Sequence, residues 1–144
     1  MKNKTFRAVI DTNLFVSGLF AKKGVTYDLQ ELWLTQSFEL AVSEEILKEI
    51  KATLQKSYIH KELFIYKGEE DGIVDLIRER AFLITQDRYK TDRIKKDKSD
   101  NKFLACALEA KADFIVSGDN HLLELKHYQG IQIVNAKIFV SKIK

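Results

Sequence analysis

The stretch Phe6 to Ile10 runs without a break into Asp11-Thr12-Asn13. The apolar part reads as a buried first strand. A buried strand that ends on a carboxylate, a hydroxyl and an amide delivers polar groups to the carboxyl edge of a sheet, where open α/β folds bind their ligands. The same residues also suit a strand-to-helix turn in which Asp11 or Thr12 caps the next helix. The rest of the chain has to decide between a cap and a site.

Short apolar runs alternate with longer amphipathic ones. Residues 5–10, 38–42, 82–84, 114–116 and 131–134 read as strands. Residues 13–20, 26–36, 43–57, 69–81 and 100–111 read as helices, with a short helix at 62–66 and another after Asn135. Ser43 is expected to cap its helix, with Glu44 and Glu45 in the first turn, where carboxylates favour the dipole. Residues 85–99 read as a charged loop. Such alternation predicts an α/β fold with a central, mainly parallel sheet, helices on both faces and right-handed crossovers. No repeat, linker or low-complexity stretch interrupts residues 1–144, which are expected to form a single domain.

Composition narrows the function classes. The chain has 24 Lys+Arg against 21 Asp+Glu, a net charge of +3, which permits a polyanionic partner without demanding one. No apolar run approaches the ~20 residues that span a bilayer, and no secretory pattern follows the first lysines. The lone cysteine, Cys106, forms no internal disulfide and sits in an apolar helical pattern as a small core residue. A reducing cytoplasm is the expected compartment.

All ends of a parallel sheet point one way. Asp11 follows the first strand and Asp119 follows Phe114-Ile115-Val116, so both acids belong to one edge. Helix 43–57 offers three glutamates. At roughly 100° per residue, Ile46, Leu47, Ile50 and Leu54 form an apolar stripe. Glu45 lies nearly opposite it, while Glu44 and Glu49 flank it, and helix geometry does not separate these two. Asp100 opens the helix that leads into the strand before Asp119. The crossover is read as starting this helix at the opposite edge unless its first turn overhangs the sheet, so topology alone does not bring Asp100 to Asp11. Carboxylates gathered at neutral pH repel one another unless a cation joins them. Oxygen donors suit Mg²⁺ or Mn²⁺. His60, His121 and His127 lack the spacing of a zinc site.

Four motifs then carry a resemblance. Val9-Ile10-Asp11-Thr12-Asn13, Ser43-x-x-Ile46-Leu47-x-Glu49-Ile50, Asp100-Asn101-Lys102-Phe103-Leu104-Ala105-x-Ala107 and Ala112-Asp113-Phe114-Ile115-Val116-Ser117-Gly118-Asp119 resemble the PIN-domain nucleases. The match is closest to the prokaryotic group similar to the VapC toxins of toxin–antitoxin systems. The resemblance spans nearly the whole chain, in the family's order. It implies a three-layer α/β/α fold and a metal-dependent endoribonuclease whose acids converge on one or two Mg²⁺ or Mn²⁺ ions. Carried over, those acids are Asp11, Glu49, Asp100 and Asp119, with Asn13 and Ser117 as supporting polar residues. The family's third motif often carries Pro after an earlier Asp; here Lys98 follows Asp97.

The expected partners are an RNA substrate, a cognate antitoxin and a second copy of the chain. Arg88, Arg93, Lys95 and Lys96 lie in a cationic segment before Asp100 that suits RNA phosphates, with Tyr89 available for stacking; a solvated loop is the plainer reading. Leu29, Leu32, Trp33 and Leu34 make a wide apolar helix face, read first as core and second as a dimer or antitoxin surface. His121, just after Asp119, could touch a phosphate but is read first as an exposed loop residue, and Asp113 is read as a turn residue outside the site. Two other functions fit parts of the pattern. One is a housekeeping RNA-processing nuclease; the other is a non-catalytic binding or phospho-acceptor module, disfavoured because a single Asp11 stands where receivers carry an acidic pair.

Overall fold

The computed structural model describes residues 4–56 and 70–144. In chain order these form β1 (Arg7–Ile10), α1 (Thr12–Phe20), α2 (Val25–Leu34), β2 (Glu39–Ser43), α3 (Glu44–Leu54), α4 (Glu70–Arg80), β3 (Leu83–Thr85), α5 (Asn101–Ala110), β4 (Phe114–Val116), α6 (Asn120–Leu123), β5 (His127–Tyr128), β6 (Ile131–Val134) and α7 (Ala136–Ile143). A 3-10 turn over Lys98–Asp100 leads into α5. The short helix expected at 62–66 lies outside the described residues.

The strands make one six-stranded sheet in the order β3-β2-β1-β4-β6-β5. Every pairing is parallel except β5 with β6. The chain steps outward from β1 to β2 to β3 and then crosses back to β4. With right-handed crossovers, that reversal puts α1 to α4 on one face and α5 on the other. α5 accordingly packs against β1, β2, β3 and β4, while α1 packs on α2 and α3 and α3 packs on α4. The result is the expected α/β architecture with a central, mainly parallel sheet. Both faces being covered explains why β1 and β4 read as continuous apolar runs; Ala8, Val9, Ile115 and Val116 are fully buried.

The core settles the reading of α2. Trp33 is 2% exposed and meets Phe15 edge-to-face at 5.1 Å, so it belongs to the interior. Leu29 is buried with it. α7 closes the same face, with Phe139 edge-on to both Phe38 and Phe114 at 5.0 and 5.4 Å. Cys106 is buried as expected, and burial pushes its thiol up to about 12, far from reactivity.

Two elements escaped the sequence pattern. β5 is only two residues long and joins β6 through Gln129 and Gly130, at φ 48° and 85°. Positive φ at both central residues suits the tight hairpin that matches the twist of its strands. α6 is a single short helix capped by Asp119.

The charged loop is the third departure. Its ends belong to β3, through Thr85, and to the 3-10 turn, through Lys98 and Ser99, and residues 86–97 between them have no helix or strand but are clamped. Ile94 is 5% exposed, its backbone N–H donates to Asn101 Oδ1 at 2.8 Å, and its carbonyl accepts from Asn101 Nδ2 at 2.9 Å. Tyr128 on β5 adds a hydroxyl contact to Thr91 at 2.9 Å. Asn101→Ala leaves two buried backbone groups of Ile94 without partners. It should lower unfolding free energy by about 1–3 kcal/mol, read by urea denaturation, and should open residues 86–97 to limited proteolysis. A loss within error, with the loop still resistant, would show that the clamp is not what holds it.

Candidate active site

The order of strands reverses between β1 and β4, and that switch point is where a doubly wound sheet opens a crevice. Asp11 leaves β1 there. Its Oδ1 accepts from Leu14 N at 2.8 Å and so caps α1. Its Oδ2 accepts from Ser117 Oγ and from Gly118 N, the latter at 3.2 Å. The cap and the site that the sequence set against each other are therefore two edges of one carboxylate. Ser117, fully buried, also accepts from Asp119 N at 2.9 Å, so a single hydroxyl ties the ends of both strands together. Asp119 Oδ1 accepts from His121 N at 2.7 Å.

Asp100 reaches the same place, contrary to the topological expectation. A crossover helix between parallel strands runs opposite to them. Its N-terminus therefore starts at the carboxyl edge, where the preceding strand ends. Asp100 closes the 3-10 turn in front of α5 on that edge. It is 9% exposed, and its Oδ2 is buried with no hydrogen-bond partner.

The two flanking glutamates of α3 separate cleanly. Glu44 is engaged by Arg78 through both guanidinium nitrogens at 2.8 and 2.6 Å, away from the acids. Glu49 faces the crevice, where Lys102 donates to its Oε2. The Lys102 side chain is 9% exposed. A nearly buried ammonium needs such a partner, so one cation of the chain itself already sits against the cluster. Glu45 is exposed, as the helical stripe predicted.

Asp11, Glu49, Asp100 and Asp119 together line a cavity of about 240 Å³ with Thr12, Asn13, Asp97 and Lys56 on its walls. Burial pushes the Asp11 carboxyl above its ordinary range, against the hydrogen bonds from Ser117, Leu14 and Gly118, with Asp119 adding repulsion. Asp100 is pushed up to about 6, first by burial and then by Asp119, Asp97, Asp11 and Glu49. Like charges held this close favour the neutral acid until a cation joins them. The oxygen donors and the unpartnered Asp100 Oδ2 fit a hard divalent cation.

The remaining residues fall in different places. Ser117 donates to Asp11 Oδ2. Asn13 lines the cavity, is exposed and makes no side-chain hydrogen bond among the described residues. Arg93, Lys95 and Lys96 line a neighbouring cavity of about 350 Å³. Arg88 does not join them; its backbone N–H is held by Glu109 at 2.8 Å. Asp113 stays at the opposite edge, on Arg7 N and Lys4.

Sequence reasoning missed three residues. Thr12, read as a turn residue, is 3% exposed with an unpartnered Oγ1 in the cavity wall. Asp97 and His121 come within ligand distance of Asp100, their donor atoms all lying within 4.8 Å of one another. The proximity of Asp97 to Asp100, and of His121 to Asp119, is the only hint of this in the sequence.

A family profile described as PIN domain matches residues 7–121, a span that holds all four acids. The chain is similar to an uncharacterized protein of Methanocaldococcus jannaschii, MJ1680, at 29% identity over 146 residues, covering 99% of this chain and 91% of that protein. PIN domains are in general metal-dependent nucleases. Among the described residues no helix is long and apolar enough to cross a membrane. With a profile match over most of its length, and with the acids it covers gathered at the switch point of the sheet, this chain belongs to the PIN domain family.

Proposed function

We propose that this PIN domain is an endoribonuclease that hydrolyses RNA phosphodiesters in the acid cavity with Mg²⁺ or Mn²⁺, and that it is the toxin of a toxin–antitoxin pair working in the cytoplasm. The observation that carries the catalytic part is the convergence of Asp11, Glu49, Asp100 and Asp119 on one crevice with a buried, unpartnered carboxylate oxygen. The toxin assignment rests on the resemblance of the four motifs. A small DNA-binding protein encoded next to this one would support it, and its absence would leave a nuclease without that role. The reading includes a cognate antitoxin and a second copy of the chain as partners.

Roles follow from position. Asp11, Asp100 and Asp119 hold the cation or its water ligands. Glu49 completes the set or orients the attacking water, while Lys102 fixes its carboxylate. Ser117 orients Asp11 and the backbone of Asp119 at once, the kind of support whose loss commonly costs 10–100-fold in metal affinity or activity. A bound divalent cation there supplies water activation and neutralises charge developing on the phosphate. Arg93, Lys95 and Lys96 hold substrate phosphates beside the crevice.

Asp11→Asn preserves the size of the side chain while removing its charge. Cleavage of RNA should fall to background while circular dichroism stays that of the parent. EDTA should abolish parental cleavage and added Mg²⁺ or Mn²⁺ should restore it. Parental rates in the variant, or cleavage that persists in EDTA, would sink the assignment.

The elevated Asp100 makes a prediction with a definite sign. It ionises near pH 6 in the folded chain and near pH 4 when unfolded. Between these values the folded state binds more protons, so this group's contribution to stability falls as pH rises. In EDTA, the stability of Asp100→Asn relative to the parent should therefore grow by about 1–3 kcal/mol between about pH 4 and pH 7, from urea unfolding at a series of pH values. A difference independent of pH would contradict the elevation.

For the cationic loop, replacing Arg93, Lys95 and Lys96 together by Gln should weaken RNA binding and flatten the slope of log K against log salt by up to about three contacts' worth. An unchanged slope would return the segment to a solvated loop.

A further inference from the structure

The acid cavity and the basic cavity meet at three donors that belong to neither alone. Asp97 and Asp100 line the first, and His121 lines the second with Arg93, Lys95 and Lys96. We propose that Asp97, Asp100 and His121 form a mixed oxygen–nitrogen subsite that takes a divalent first-row transition ion, with Mn²⁺ preferred over Mg²⁺. The inference rests on the metal-dependent nuclease reading and goes beyond it in naming an imidazole donor and a class of ion.

The donor atoms all lie within 4.8 Å of one another. Two ligands on opposite sides of an ion with bonds of about 2.1 Å stand about 4.2 Å apart, so the triad closes on one ion with small side-chain movements. An acidic cluster alone would be a weak argument, since carboxylates gather on many surfaces. Here two of the three donors carry a buried atom that nothing satisfies. Asp100 is 9% exposed and its Oδ2 lacks a partner. His121 Nδ1 is likewise a buried atom without one. Its nearest acid, Asp119 Oδ1, is 3.7 Å away and already accepts from the His121 backbone at 2.7 Å. That bond holds the residue in place while leaving its ring nitrogen free. Asp97 is fixed too, since its Oδ1 accepts from Ser99 N at 3.1 Å and from Ser99 Oγ at 2.6 Å.

The donor set decides the ion. Two carboxylates suit Mg²⁺ and Mn²⁺ alike, whereas an imidazole nitrogen disfavours the oxygen-seeking Mg²⁺ relative to first-row transition ions, of which Mn²⁺ is the one that shares the preference for carboxylates. The ion would also sit where the acidic wall gives way to the cationic one, within reach of a phosphate held by Arg93, Lys95 and Lys96.

The test uses the full chain, stripped with EDTA and titrated with Mn²⁺ or Mg²⁺ alone. Mn²⁺ should bind more tightly than Mg²⁺, and the electron spin echo of bound Mn²⁺ should carry the nitrogen modulation of a coordinated imidazole. His121→Ala should remove that modulation and weaken Mn²⁺ binding by about tenfold or more, at least the loss typical of a ligand's supporting partner. His121→Asp, which keeps a donor but makes it oxygen, should bind both ions while losing the modulation and the preference for Mn²⁺. Nitrogen modulation absent from the parent, or surviving in His121→Ala, would overturn the subsite, as would equal affinity for the two ions. The nuclease reading is decided separately by RNA cleavage in Mg²⁺. A protein that cleaves without the nitrogen signature keeps the first reading and loses this one.

Discussion

Everything at the crevice depends on how the Asp11 carboxylate is held. One oxygen caps α1 through Leu14 N, and the other receives Ser117 Oγ and Gly118 N from the far side of the strand reversal. A buried carboxylate that accepts three hydrogen bonds is committed in orientation. It also welds the exit of β1 to the exit of β4, which pair directly from Ala8↔Phe114 to Ile10↔Val116. The same contacts that stabilise the start of a helix thus set the geometry of a potential ligand. Helix capping is a local need of the chain; here it fixes a site at no extra cost in side-chain freedom.

The cluster around Asp11 is a liability for the fold taken alone. Asp100 is pushed up to about 6 by burial and by four other carboxylates, and its outer oxygen has no partner. The chain's own cations stand at the margin of the cluster. Lys102 neutralises Glu49 from within the wall, and Lys56 lines the same cavity. Among the described residues no lysine or arginine pairs with Asp11, Asp100 or Asp119, where a positive charge is still wanted. Stability given up at one place and retained as affinity for a cation is the usual signature of a functional site.

Much of this is legible in the amino-acid sequence. The period of the apolar residues gave the strands, the helices and the parallel sheet, since both faces of that sheet are covered and its strands read as continuous apolar runs. Helix periodicity correctly exposed Glu45, yet it could not choose between Glu44 and Glu49, because both flank the stripe. Only the placement of Arg78 on α4 separates them. The expectation for Asp100 failed on direction: a helix between parallel strands runs against them, and its first turn belongs to the carboxyl edge. β5 leaves no signal because two residues carry no period. His121 illustrates the limit most clearly, because its relation to Asp97 exists only across the packed loop and leaves no trace in spacing.

That loop is where the missed elements matter together. Asp100 enters the cavity, and the next residue, Asn101, grips both backbone groups of Ile94. Tyr128, on the strand that sequence pattern overlooked, holds Thr91 three residues earlier. A segment of high charge would otherwise be free to sample solvent, at the conformational cost that any later ordering on a ligand imposes. Anchored at Thr91 and Ile94, it presents Arg93, Lys95 and Lys96 in a fixed relation to Asp100, because the turn that sets the acid also sets the clamp. The cationic wall and the acidic crevice are therefore one mechanical unit. A substitution in the hairpin β5–β6 can alter the site without touching a carboxylate.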